Sequence, residues 1–138
     1  MKAITPPRTI SVANLDTATM QEVFDFIAYK LLEQGKQSLA EDDSNVCLYH
    51  GPNGLRCAAG FLLSDEVSTE GLEGCGWGDL VADSMVPTSA HRNIISSMQN
   101  VHDLNAPSEW PRLLRERAVS YFKLDTSFLD AYEAAPAC

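Results

Sequence analysis

Thr19-Met20-Gln21-Glu22-Val23-Phe24-Asp25-Phe26-Ile27-Ala28-Tyr29-Lys30-Leu31-Leu32-Glu33-Gln34-Gly35 is the stretch from which the rest of the chain can be read. Thr19 and Glu22 stand at the spacing of a capping box, in which a hydroxyl and a carboxylate satisfy the first free amides of a helix. Met20, Val23, Phe24, Ile27 and Leu31 recur at intervals of three and four, which places them on one apolar face. Gly35 then takes the left-handed conformation that ends a helix without a Cβ penalty. The reading is a helix over 18–34. Such a helix is stable only when its apolar stripe is buried against other elements.

The chain supplies those elements on the C-terminal side. Residues 89–104 carry Ile94, Ile95, Met98 and Val101 on one stripe. Residues 109–122 follow a Ser108 cap, with Trp110, Leu113, Leu114, Ala118 and Tyr121 facing inward and Pro111 in the first turn, where a missing amide costs nothing. Asp125 caps a last short helix through Tyr132, and residues 134–138 fray. A shorter helix is expected over Gly78–Met85, and Ala58–Leu63 reads as a buried helical segment. Val46–His50 and Leu55–Cys57 flank Gly51-Pro52-Asn53-Gly54, a strong turn signal, and predict a small β-hairpin at 46–57. Residues 36–45 and 64–78 read as loops, and 1–16, with Pro6-Pro7, as an extended arm or edge strand. The expected fold is mainly α (α+β): a single domain over 1–138, a compact bundle of about four to six helices with one small hairpin.

At 45% hydrophobic the 138 residues can bury a real core,. No apolar run reaches the ~18 residues of a membrane span, and the N-terminus lacks a secretory pattern. The expected place is the cytoplasm, with Cys47, Cys57, Cys75 and Cys138 as reduced thiols. The net charge is −9 and uneven. Between Gln37 and His91 stand nine acids, namely Glu41, Asp42, Asp43, Asp65, Glu66, Glu70, Glu73, Asp79 and Asp83, against one base, Arg56. This balance disfavours direct nucleic-acid binding through phosphates and suits contact with a basic protein surface.

The densest group of chemically special residues is Cys47 to Gly60. Cys47-x-x-His50, Cys57 and Cys75 lack the two closely spaced pairs of a structural zinc site, so neither metal nor cofactor is expected. Asp42-Asp43-Ser44-Asn45 lacks the ligand pattern of a calcium loop. Cys57 and His102 could form a thiol nucleophile and its base. Asp103, its Cα–Cβ direction ~100° from that of His102 on a helix, is expected to orient the imidazole poorly. Packing is the preferred reading of both. No nucleotide-binding, nucleophile-elbow or metalloprotease motif occurs. Tyr49, His50, Asn53, Arg56, Asp65, Glu66, Glu70, Glu73, Trp77 and Asp79 are the candidate binding residues, because aromatics and arginine dominate hot spots and the acids carry the charge.

At Cys47-x-Tyr49-x-Gly51-Pro52-Asn53-Gly54-x-Arg56-Cys57-Ala58-x-Gly60, followed by Leu62-Leu63-x-Asp65-Glu66, the chain resembles a family of uncharacterised small proteins from bacteriophages, prophages and bacteria. Their pattern runs approximately Tyr-Arg-Gly-Pro-Asp-Gly-x-Lys-Cys-Ala-x-Gly, then Leu-Ile-Pro-Asp. Leu31-Leu32-x-Gln34-Gly35, Glu73-Gly74, His102-Asp103 and Trp110 are similar too, so the resemblance spans roughly Val23 to Ala118. It departs at His50 and Ser64, where the family often has arginine and proline. The resemblance implies a mobile-element origin and brings no catalytic residues. The expected function is a non-enzymatic accessory protein that binds and inhibits a host protein in the host cytoplasm. Its target would be an antiviral-defence complex (the anti-CRISPR mode) or a nucleic-acid-handling one. The alternatives are a thiol enzyme using Cys57 and His102, and a module sequestering a small ligand such as a nucleotide. That ligand would sit at a homo-oligomer interface lined by Tyr49, Arg56 or Trp77.

Overall fold

In the computed structural model, which describes residues 4–41, 47–64, 73, 76–82 and 90–135, the capping box forms as read. Thr19 Oγ1 accepts from the Glu22 amide at 3.1 Å, and Glu22 Oε1 accepts from the Thr19 amide at 2.9 Å. Helix α1 runs Met20–Gln34 and ends at Gly35, whose φ is 64°. Val23, Phe24, Phe26, Ile27, Ala28 and Leu31 are buried. Phe26 and Ala28 lie off the expected stripe, so α1 is covered on more than one side. Of the expected stripe, Met20, in the first turn, is the member left exposed. At roughly 1.5–3 kcal/mol for each large apolar side chain, this helix anchors the core.

The chain is mainly helical, as expected. Helix α2 covers Trp77–Ala82, α3 Arg92–Leu104, α4 Trp110–Glu116 and α5 Ser127–Ala134. Helices α3, α4 and α5 and the 3₁₀ turn Ala59–Leu62 all pack on α1. The α3 stripe of Ile94, Ile95, Met98 and Val101 is buried as read, together with His102. Helix α4 buries Trp110, Leu113 and Leu114, then widens into a π turn over Arg117–Tyr121. Tyr121, expected inward, is 60% exposed. More residues per π turn leave it short of the buried face that Ala118 occupies. Helix α5 is tied to α1 by polar contacts at both ends. Gln21 brackets the Asp125 backbone at 2.8 and 3.0 Å, and Tyr132 Oη donates to Glu33 at 2.7 Å.

Two expectations are corrected. The N-terminal segment pairs with no strand among the described residues. Residues 5–11 form an arm with neither helix nor strand, and the chain then coils into a 3₁₀ turn, Val12–Thr17, capped by Ser11, with Ile10 and Leu15 buried. The β-hairpin at 46–57 is likewise absent among the described residues, where the local pairings are single bridges, Leu39 with Cys47 and His50 with Arg56. The turn itself is real: the Gly51 amide donates to the Leu55 carbonyl at 2.8 Å, with Asn53 and Gly54 at φ 58° and 77°. No ladder extends from it because each amide finds a different partner. That of Leu48 donates to the Ser38 carbonyl at 2.8 Å, that of Tyr49 to the Glu73 carboxylate at 2.7 Å, and that of Arg56 to Gln34 at 2.8 Å.

The return path is buried, with Cys57, Ala58 and Ala59 fully covered. Gly60 lies so close to Tyr49 that a Cβ there would stand 2.1 Å from its carbonyl oxygen. Backbone cannot rotate aside, so Gly60→Ala must displace the loop, at a cost of about 1–3 kcal/mol or more by the scale of overpacking. Gly54 has open space but positive φ, so Gly54→Ala should cost only about 1 kcal/mol. Urea unfolding of the two variants should rank them in that order. Equal midpoints would refute the close approach.

Candidate functional site

His102 lies in the last turn of α3 with its side chain fully buried and its ring stacked on Trp110, centroids 5.5 Å apart. The Ser38 amide points at Nε2 from 3.0 Å, and Nδ1 lies 2.6 Å from Asp103 Oδ1. A backbone N–H only donates, so Nε2 must present its lone pair and the ring proton resides on Nδ1, donating to Asp103. The two residues' Cα–Cβ directions do diverge, but the carboxylate bends back to the edge of the ring. The expectation that Asp103 is poorly placed to orient His102 is therefore corrected.

Side-chain amides extend this polar centre. Gln37 donates to the His102 and Asn105 carbonyls at 2.9 and 3.2 Å, satisfying free carbonyls at the end of α3,. Gln99 accepts from the Ala59 amide at 2.9 Å and donates to Asp103 at 3.3 Å. Gln34 brackets the Arg56 backbone at 2.7 and 2.8 Å. Ser38 itself carries Leu48 on its carbonyl, and its hydroxyl lies against Gly51, where a Cβ would come within 2.2 Å of Oγ.

Neither described thiol is activated. Cys57 is buried, accepts from the Gly60 amide at 3.3 Å, and is pushed up to about 12 by burial. The structure does not join it to His102, whose two nitrogens are engaged by Asp103 and Ser38. Cys47 is the thiol beside that pair. Its Sγ, the imidazole and the Asp103 carboxylate have donor atoms within 4.8 Å of one another. Burial, then the negative charge of Asp103, raises the Cys47 thiol to about 12 as well. Three mixed donors invite a metal reading, which the hydrogen bonds oppose. A metal on Nδ1 would require a proton on Nε2, where the Ser38 N–H already points.

The candidate binding residues separate into distinct roles. Tyr49 is buried at 2% exposure, and its amide is held by Glu73. Trp77 is buried at 1% exposure in the first turn of α2 and anchors it to the core. Asp79 is exposed, and its carboxylate accepts from the Gly76 amide at 3.1 Å. His50 and Arg56 are half-buried, with an Arg56 Nη1 bond to the Leu55 carbonyl at 2.8 Å, and Asn53 is exposed at the turn tip. Asp65, Glu66 and Glu70, like Cys75 and Cys138, lie outside the described residues. Sequence reasoning missed Ser38, Gln37 and Gln99, whose residue types carry no motif. It also missed a depression of about 400 Å³ lined by Met20 and His91–Ile94. There His91 adopts φ 61° and its Nε2 lies 2.8 Å from the Ala18 carbonyl.

Among the described residues no helix is long and apolar enough to cross a membrane. No family model, curated protein or solved structure matches the chain.

Two measurements check this geometry. Long-range ¹H–¹⁵N spectra at neutral pH should show His102 as the Nδ1–H tautomer, and an Nε2–H ring would contradict the Ser38 bond. Alkylation of Cys47 and Cys57, read by mass spectrometry, should stay slow up to about pH 10. The raised folded values also fix a sign: the stabilisation is full below the unfolded thiol value near 9 and is lost as pH climbs toward about 12,. Rapid labelling of the folded chain at pH 8 would mean an activated thiol.

Proposed function

We propose that this protein acts by binding rather than by catalysis, as a phage- or prophage-type accessory protein that inhibits a host protein with a basic surface. The target class is a nucleic-acid-handling or antiviral-defence complex. The reading is carried by one contrast: the groups most able to do chemistry are committed to internal bonds, whereas the charge excess is concentrated in one stretch. Cys57 and the ring of His102 are covered and hydrogen-bonded inside. Between Gln37 and His91, nine acids face one base. A partner that binds phosphate backbones carries the complementary field, and such contacts steer association and fix specificity. The likeness of the Tyr49–Gly60 motif to phage and prophage proteins supports the same class.

The test is capture of host proteins on the tagged chain at increasing salt, alongside a triple variant, Asp65→Asn, Glu66→Gln and Glu70→Gln. A nucleic-acid-binding partner should be retained at about 0.1 M salt and released by about 1 M, as the screening length falls from about 10 Å to about 3 Å. The variant should lose it already at low salt. A partner indifferent to both changes would overturn the electrostatic mode, and hydrolysis or transfer activity abolished by Cys57→Ser would overturn binding as the function.

A further inference from the structure

We propose that His102 is a protonation latch that holds Ser38, and through it the Cys47–Gly60 layer, against α3, and that acid releases this layer while the helices stay folded. The inference rests on the fold and does not depend on the identity of any partner. Its basis is the asymmetry of the two ring nitrogens. On the Nδ1 side, Asp103 at 2.6 Å supports either a neutral or a cationic ring. On the Nε2 side, the Ser38 N–H at 3.0 Å supports only the neutral form. When Nε2 takes a proton from solvent it becomes a donor facing a donor. Trp110 covers one face of the ring and the side chain is fully buried, so no water can accept the new N–H in place. A buried, unpaired donor on a cation is costly, and separation of Ser38 from the ring relieves it.

The groups that face the ring place the strain of a cationic form on the Ser38 contact. Among the described residues, α3 presents Asp103 to the ring, and the loop layer presents Cys47, a neutral thiol. Helix α4 presents uncharged Trp110, and residues 37–39 contribute no charge. The cation thus keeps its carboxylate, while the strain falls on one backbone contact.

That contact is well placed to transmit movement. Ser38 accepts from Leu48, Leu39 bridges Cys47, and the Ser38 hydroxyl packs on Gly51. Release of Ser38 therefore loosens the Tyr49–Arg56 turn. This layer also holds buried polar atoms with no protein hydrogen-bond partner, Ser38 Oγ and His50 Nε2, and Glu73 Oε1 flanks it. Such unpartnered groups gain hydrogen bonds to water when the layer opens, which lowers the cost of a sub-global opening there.

The test follows the wild-type chain by NMR between about pH 8 and pH 5, the range in which histidine charge changes are functional. The His102 ring nitrogens report protonation, and amide-exchange protection factors report opening. Protection over residues 47–60 should fall at least tenfold in the same pH steps that convert the ring to imidazolium, while amides of α1 and α4 keep theirs. His102→Gln, whose amide oxygen can accept the Ser38 N–H and does not titrate there, should abolish the step. The latch is overturned if the ring becomes cationic with loop protection unchanged. It is equally overturned if protection falls everywhere together, or if the ring stays neutral until the whole chain unfolds. Should the variant fail to fold, the wild-type correspondence decides alone.

Discussion

Every buried peptide group needs a hydrogen-bond partner, and the described residues of 36–41 and 47–64 must meet that need with no α-helix or sheet among them, only short 3₁₀ turns,. Side chains do so in their place. His102 receives the Ser38 amide, Glu73 that of Tyr49, Gln34 that of Arg56, and Gln99 that of Ala59. The helices beneath can then pack as a bundle although an irregular segment crosses them. Replacing any of these acceptors with an apolar side chain would orphan a peptide rather than merely remove a contact, which is the costlier event.

The same demand governs the imidazole, carboxylate and thiol that meet beside Ser38. Imidazole, carboxylate and thiol are assembled at the end of α3, but the ring is saturated by a backbone donor and a carboxylate. The nearest thiol is held protonated by burial and by Asp103. The geometry that orients a catalytic histidine elsewhere serves here to fix a tautomer that can accept an amide. Reactivity and structural satisfaction compete for the same lone pair, and Ser38 holds it.

The Tyr49–Gly60 motif has a comparable physical explanation. Tyr49, Cys57, Ala58 and Ala59 are core residues, and Asn53 and Gly54 supply the positive φ of the turn. Gly51 and Gly60 permit contacts with Ser38 and Tyr49 that a Cβ would obstruct. Most of what looked distinctive in this stretch is therefore accounted for by packing. The turn tip at Asn53, with half-buried His50 and Arg56 beside it, is the part left facing outward.

By itself the sequence determined the helices, because apolar periodicity is local and survives without knowledge of neighbours, although the expected Ser108 cap does not form: Ser108 lies in a 3₁₀ turn, and Glu109 precedes α4 without a side-chain cap. The capping box at Thr19, the stop at Gly35 and the α3 and α4 stripes were legible for that reason. So was the Gly51–Gly54 turn. Tertiary structure decided what local signals cannot carry. The strand-like limbs of the turn found side-chain acceptors instead of each other, and the N-terminal arm docked as a 3₁₀ turn through Ile10 and Leu15. A π turn carried Tyr121 away from the core. Above all, the sequence offered Cys57 as the partner of His102, whereas the fold brought Cys47, Asp103 and Ser38 to it. Which groups meet across many residues depends on how the loop layer crosses α3, and no spacing in the chain encodes that crossing.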